Sequence, residues 1–415
     1  MEGNMKNQGW DRAYEWKAVT LLTLGFGLVG LDRWIIAPLL PSMSRDLHLN
    51  YQDAGNIVAV LGLAWGVFAI IGGGLSDRIG RKKVLIPAMV AFSLLSGFTG
   101  MAGGLVSLLM IRGVMGVTEG AFCPTSFATT NDASKPARRG LNLGIQQSTF
   151  PLFGLALGPI LATQLLGVLS WRWIFVMVAV PGLILAVLLA ITIREPANLQ
   201  KAAQAQRAPI SDMLKHRNVP LAMLALFCAM AGIFTLSALV PSYLADYLKL
   251  STTDQGLVTS AIGFGGFFGQ LILPGVSDVA GRKSVTVLSF ILGAVFVYAF
   301  AHSVSLGALF ATLLVGCFFC FGLLGLITGP IAAEAAPLGL ISSTTGIIVG
   351  SGEIFGGGVA PIIAGHVAQS FGIQHTLTMA LIALIIGVVV TVFLRETAPR
   401  RLAAAPVPSA RQSEG

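Results

Sequence analysis

The stretch GLSDRIGRKK, Gly74 to Lys83, returns 201 positions later as GVSDVAGRK, Gly275 to Lys283. Gly74, Ser76, Asp77, Gly80, Arg81 and Lys82 recur as Gly275, Ser277, Asp278, Gly281, Arg282 and Lys283. The register extends upstream, where Asp53, Gly55 and Gly62 are answered by Asp254, Gly256 and Gly263. A constant offset near half of 415 residues means two copies of one unit laid down in the same orientation. In a membrane protein, parallel halves related by an axis along the bilayer normal place a binding site between them.

The surroundings of the repeat are apolar enough for lipid. Hydrophobic residues make up 55% of the chain and charged residues 11%, against roughly 25% charged in soluble domains. A spanning helix needs about 20 mostly apolar residues. Twelve such stretches occur, near 17–40, 53–75, 84–103, 106–131, 141–166, 173–193, 218–244, 254–276, 284–301, 306–333, 342–367 and 374–394. The expected fold is therefore an all-α membrane protein of twelve transmembrane helices in two pseudo-symmetric six-helix bundles, residues 1–193 and 218–394. Between them 194–217 is the one long polar stretch, read as a cytoplasmic linker. The tail 395–415, rich in Pro, Ala and Ser, is expected to be disordered and cytoplasmic.

Charge sets the orientation. Of 26 Lys and Arg, Arg45, Arg172 and Lys249 fall in loops on one side, and Arg33 and Arg112 fall inside spans. The rest lie on the other side, which the positive-inside rule makes cytoplasmic, with both termini there. The first sixteen residues are polar and the apolar stretch after them is long enough to be a span, so no cleavable leader is expected. A net charge of +8 follows from this topology and does not indicate nucleic-acid binding. Cys123, Cys228, Cys317 and Cys320 all fall in apolar stretches. Cys317-Phe-Phe-Cys320 lacks the strand–helix setting of a redox motif, so buried thiols are expected, with no disulfide, metal or cofactor.

Five ionisable residues lie inside spans: Asp32, Arg33, Arg112, Glu119 and Glu353. Each costs roughly 2.5–3.5 kcal/mol or more at a helix centre, so each is expected to face a partner or a water-filled cavity. Asp32 and Arg33 point about 100° apart, so one can line the cavity while the other meets an adjacent helix. Arg112 and Glu119, seven residues apart, share a helix face with Gly116 between them. Arg112 is either a substrate ligand or an arginine bonding backbone carbonyls of a neighbouring span. Glu119 is either a pairing carboxylate or a proton carrier. Guanidinium groups suit a planar carboxylate. An anion entering among ionised acids is unfavourable unless those acids take protons, which couples substrate to proton by linkage. Gln146, Gln147 and Phe150 are further candidates for the cavity wall, as is Glu353.

In the repeated loops, cations alone would satisfy the positive-inside rule, but matched aspartates and glycines would not be needed for it. Asp77 and Arg81, with Asp278 and Arg282, are read as gates: the aspartate caps or pairs with a helix end of the facing bundle. Glycine pairs such as Gly62 and Gly66, or Gly154 and Gly158, and the run Gly356 to Gly358 mark close helix packing.

With both loop motifs, Arg112-Gly113-x-x-Gly116-x-x-x-Gly120 and Gly154-x-x-x-Gly158-Pro159, the chain resembles the major facilitator superfamily over essentially its whole length. Asp32-Arg33, RGVMGVTEGAFCPT around Arg112 and Glu119, and Ser170-Trp171-Arg172-Trp173 resemble the anion:cation symporters. The resemblance implies a proton-coupled carrier of a small organic anion in the cytoplasmic membrane, working by alternating access and expected as a monomer. It implies Asp32 and Glu119 as protonation sites, Arg33 on the substrate carboxylate, and Arg112 tuning the acids. Gly30 stands where those symporters often carry an aromatic residue, which would suit a bulkier or more apolar acid. The rival readings are an efflux antiporter for amphipathic compounds, prompted by Gly154 to Pro159, and a non-transporting receptor. No nucleophile–base pair or metal cluster points to an enzyme.

Overall fold

Apolar runs of this length can satisfy their backbone in lipid only as helices, and helices are what form. The structure, a computed structural model, describes residues 11–135, 138–195, 210–336 and 341–398. Among the described residues twelve helices are long and apolar enough to cross a membrane. In the first half these are α1 (Arg12–Leu47), α2 (Tyr51–Ile79), α3 (Arg81–Thr99), α4 (Leu105–Ala133), α5 (Arg139–Leu165) and α6 (Trp171–Thr192). In the second they are α7 (Asn218–Tyr247), α8 (Thr252–Ala280), α9 (Arg282–Ala301), α10 (Leu306–Ala335), α11 (Thr344–Phe371) and α12 (His375–Val392).

Helices overrun the apolar stretches because polar residues cap them. Asn50 and Asp53 form a reciprocal capping box at the start of α2, and Ser251 caps α8 through the Asp254 N–H. That explains the recurrence of Asp53 as Asp254. Gly80 and Gly281 end α2 and α8 at φ of 111° and 100°, a region glycine enters without strain. On α6, Val176, Val180, Ile184, Val187 and Ile191 are exposed at helical spacing, a face suited to lipid.

Each half has its own core. Phe92, Phe122, Met89 and Leu189 anchor one cluster of the first half, and Trp171, Phe175 and Leu39 another. Phe290, Phe300, Phe321 and Leu384 anchor the second half. The halves meet along α2 with α11 and α5 with α8, and α1 also packs on α7. Gly55 lies against Pro361 and Gly365, and Gly62 against Gly357. Their repeats Gly256 and Gly263 lie against Thr163 and against Leu155 and Ala156. At Gly62 and Gly263 a β-carbon would overlap the opposing main chain, so the two backbones touch directly.

Residues 196–209 of the expected linker and 399–415 of the expected tail lie outside the described residues. The first four residues assigned to the tail are ordered against the second half. Arg395 donates its N–H to Asn218 at 3.0 Å, Glu396 receives the Arg282 N–H at 2.8 Å, and Ala398 is fully buried.

Candidate functional site

Helix α1 breaks at Ile35, three residues before Pro38, which lacks an N–H to give back to the preceding turn. Arg112 of α4 fills that break. Its Nη1 donates to the Asp32 carbonyl at 3.0 Å and its Nη2 to the Arg33 carbonyl at 2.6 Å. Of the two roles open to Arg112, the structure supplies the structural one. Each terminal nitrogen gives one bond to an α1 carbonyl, so Arg112 fixes the Asp32-Arg33 segment, while its Nε is buried without a partner.

From that segment the two side chains diverge as a 100° step requires. Asp32, 2% exposed, lies beside Ser96 of α3 inside its own half, and its Oδ1 has no hydrogen-bond partner. Arg33 reaches across the interface. Its Nη2 donates to Glu353 Oε2 of α11 at 2.9 Å, an ion pair linking positions 320 residues apart. Three aromatic rings surround the same guanidinium: Phe234 of α7 at 4.7 Å, Trp65 of α2 at 5.6 Å and Trp34 at 5.7 Å.

Glu119 of α4 is fully buried, and neither carboxyl oxygen meets a hydrogen-bond donor. It lies within electrostatic range of Asp32, Arg112, Arg33 and Glu353, so the five intramembrane charges form one cluster. Arg33 Nε and the indole N–H of Trp34 are also buried without acceptors. These are hydrogen-bonding groups that a small oxygenated ligand could satisfy.

The expected water-filled chamber is not what surrounds this cluster. Arg33 and Asp32 are 2% exposed and Glu353 is 4% exposed. For Arg33, Glu353 and Arg112, pairing, carbonyl acceptors and aromatic faces compensate the charge, whereas Glu119 and Asp32 Oδ1 have no such partner. A cavity of about 480 Å³ does open between the halves, but near the start of α2, lined by Arg45, Tyr51, Asp246, Gln255 and Gln369.

On α5, Gln146 is buried and donates to Ser126 at 3.1 Å, whereas Gln147 is half-buried. Phe150, also half-buried, stacks near Phe26 at 5.4 Å and packs against the cores of both halves. Gly30 makes no room for a larger ligand. Gly154 and the Phe150 backbone press against it, so the missing aromatic is replaced by a helix crossing.

The repeated loops form two matching networks at the end of the molecule reached by the C-termini of α2 and α8. Arg81 donates to Ser76 at 2.9 Å and to Asp132 at 3.3 Å, and Glu195 receives the N–H groups of Arg81 and Lys82. In the second half Arg282 donates to Ser277 at 2.5 Å, pairs with Asp278 at 2.5 Å and with Glu334 at 3.0 Å, and Glu396 receives the N–H groups of Arg282 and Lys283. The side-chain partners described for Arg81 and Arg282 come from their own halves, and Asp278, expected to meet a helix end of the facing bundle, pairs with Arg282. Glu195 and Glu396 are again 201 residues apart, a signal present in the sequence beside the loop motif. The side chain of Asp77 lies outside the described residues.

At the opposite end the halves are tied to each other. Tyr51 donates its hydroxyl to Asp246 at 3.0 Å and its N–H to Gln369 at 3.2 Å, and Gln52 donates to the Ile362 carbonyl at 3.2 Å. Trp171 and Arg172 serve the same end within the first half. The indole donates to Asp46 at 2.8 Å and the guanidinium to the Ala102 carbonyl at 2.9 Å.

Twelve spans in two repeated halves, closing on a charge cluster, define a polytopic membrane carrier. The chain belongs to the Major Facilitator Superfamily, whose family model matches residues 22–352 and again 222–413. It is accordingly a transporter and not an enzyme. It is 29% identical to a hexuronate transporter of Bacillus subtilis over 88% of this chain and 84% of that protein. It is 28% identical to the sialic acid transporter NanX of Escherichia coli over 88% of this chain and 91% of that protein. Among solved structures, a bacterial homologue of the human lysosomal transporter Spinster, inward-facing and unoccupied, superposes with a TM-score of 0.71. That likeness covers 96% of this chain and all of the other at 16% identity, and it concerns the fold.

Proposed function

We propose that this transporter is a proton-coupled symporter that imports a small organic anion, such as a sugar acid or an aromatic acid, by alternating access. The observation that carries the reading is the buried Arg33 guanidinium, held at the junction of the halves by a carboxylate and aromatic rings. A site that accepts one carboxylate there has the geometry for another. The hexuronate and sialic acid named for two relatives are carboxylates, which supports the same class.

In this reading Arg33 receives the substrate carboxylate, with Gln147, Phe150 and Glu353 on the wall of the site. Glu119 and Asp32 carry the proton, since their oxygens are buried and donors do not meet Glu119. Arg112 keeps the Asp32-Arg33 turn in place. The halves 1–193 and 218–394 rock about their glycine seams, joined by 194–217. The Lys and Arg asymmetry puts the loop-motif end, and both termini, in the cytoplasm of a cell whose inner membrane holds the protein as a monomer. The ties at Tyr51 then close the outer path, and Asp77, Arg81, Asp278 and Arg282 gate the inner one.

The test is uptake of labelled glucuronate, N-acetylneuraminate and benzoate into proteoliposomes under an imposed inward proton gradient. Accumulation that collapses with the gradient supports symport. Uptake indifferent to the gradient, or movement of amphipathic cations outward instead, overturns it.

A further inference from the structure

Glu353 differs from the other four charges of the cluster. It is the one supplied by the second half, and 201 residues earlier its position is held by Leu152. It sits in a π-helical segment of α11, Gly352–Val359, whose wider turn lies against Gly66 of α2. Its carboxylate makes the one side-chain hydrogen bond found for the Arg33 guanidinium among the described residues, and Phe234, Trp65 and Trp34 lie against the same group. A second ionised carboxylate brought to the same guanidinium would leave a net negative charge in a dry site, which is strongly unfavourable.

We infer that Glu353 is the carrier's own placeholder for the substrate carboxylate: the incoming anion displaces it from Arg33, and it takes up a proton from water as it leaves. This rests on the reading of Arg33 as the anchor for the anion. The charges balance on both sides of the exchange. Arg33⁺ with Glu353⁻ sums to zero, and so does Arg33⁺ with the anion and a protonated Glu353. One proton therefore accompanies each monovalent anion at this pair, and the empty, deprotonated carrier keeps its halves tied together. The ionisable groups around Glu353 are few. Arg33 comes from α1, and Glu119 and the Cys123 thiol come from α4 within electrostatic range. Helices α2 and α7 present Trp65 and Phe234, and between Gly55 and Gly72, and from Asn218 to Ser242, the Cys228 thiol is their only ionisable side chain.

The experiment uses the full chain in nanodiscs and reads two signals. Without substrate, intrinsic tryptophan emission is followed against pH, because Trp34 and Trp65 lie against the guanidinium. The wild type should show a one-proton transition that Glu353→Gln lacks. Calorimetry with glucuronate and N-acetylneuraminate should then show wild-type affinity falling about tenfold per pH unit above that transition. Glu353→Gln should lose that one-proton slope, and at alkaline pH bind about tenfold tighter than wild type. A Glu353→Gln protein that keeps the transition and the slope overturns the placeholder while leaving anion transport standing. No carboxylate bound by either protein at any pH removes the anion reading itself, and the placeholder with it. If Glu353→Gln does not fold, Glu353→Asp, which keeps the charge and shortens the reach, must move the wild-type midpoint; an unmoved midpoint overturns the inference.

Discussion

At the loop-motif end, Arg81 of the first half and Arg282 of the second keep matching company: a serine five residues back, an acid on the fourth or tenth helix, and a glutamate receiving the backbone at the helix start. At the centre the same 201-residue register sets Asp32 against Ile233, Arg33 against Phe234, Arg112 against Leu313 and Glu119 against Cys320. Arg33 and Phe234, equivalent in the two halves, even touch, guanidinium on ring at 4.7 Å. Where the halves agree, the residues belong to helix ends and to the glycine seams between the halves; where they part, they carry charge for one half alone. Duplication thus preserves what both halves must do together and frees the centre to become one-sided.

That contrast should break most sharply at Arg33. Arg33→Ala removes the central cation and strands Glu353. Binding of a carboxylate should fall at least about 30-fold, from the roughly 2–5 kcal/mol lost when one member of a buried pair is truncated. Calorimetry on the purified variant checks this, and near-normal affinity would take Arg33 out of the site. Glu119→Gln comes next. Substrate counterflow should persist while accumulation driven by a proton gradient falls below wild type, and wild-type accumulation would remove Glu119 from coupling.

The matched networks should behave alike. Arg81→Ala and Arg282→Ala should each slow counterflow on the order of tenfold, about 1.4 kcal/mol in a barrier, with substrate affinity unchanged. A loss of affinity in either variant would mean that the motif end reaches the binding site. The smallest effect is expected at Asp11, whose carboxyl is held below the usual carboxylate range by the Tyr14 N–H and by Arg194. A group lowered in the folded state stabilises it above the unfolded carboxyl's range and stops doing so as pH falls through its own. Asp11→Asn should therefore melt slightly below wild type at neutral pH and level with it in strong acid.

Much of this architecture is legible without coordinates, because lipid leaves the backbone few options. All twelve helices fall on apolar stretches, and the repeat fixes their division into halves. The central charges are equally plain, since a lone Arg or Glu in such a stretch has to be explained. Partners are another matter. Helical periodicity relates residues on one helix, so Arg33 and Glu353, on helices from different halves, are joined by packing that periodicity does not encode. Arg112 shows a second reason. Its choice between ligand and carbonyls depends on the break at Ile35, a local geometry that Pro38 permits but does not by itself announce. Gly30 shows a third, as a missing side chain reads as space until the neighbouring backbone is seen to fill it.

The seams along α2 with α11 and α5 with α8 bring main chain against main chain at Gly62 and Gly263. A joint of that kind has no rotamers to reset, so one surface can roll over the other without an entropic toll at each turnover. Methyl groups added there should act like grit in a bearing, changing how fast the cycle runs while leaving untouched what it carries.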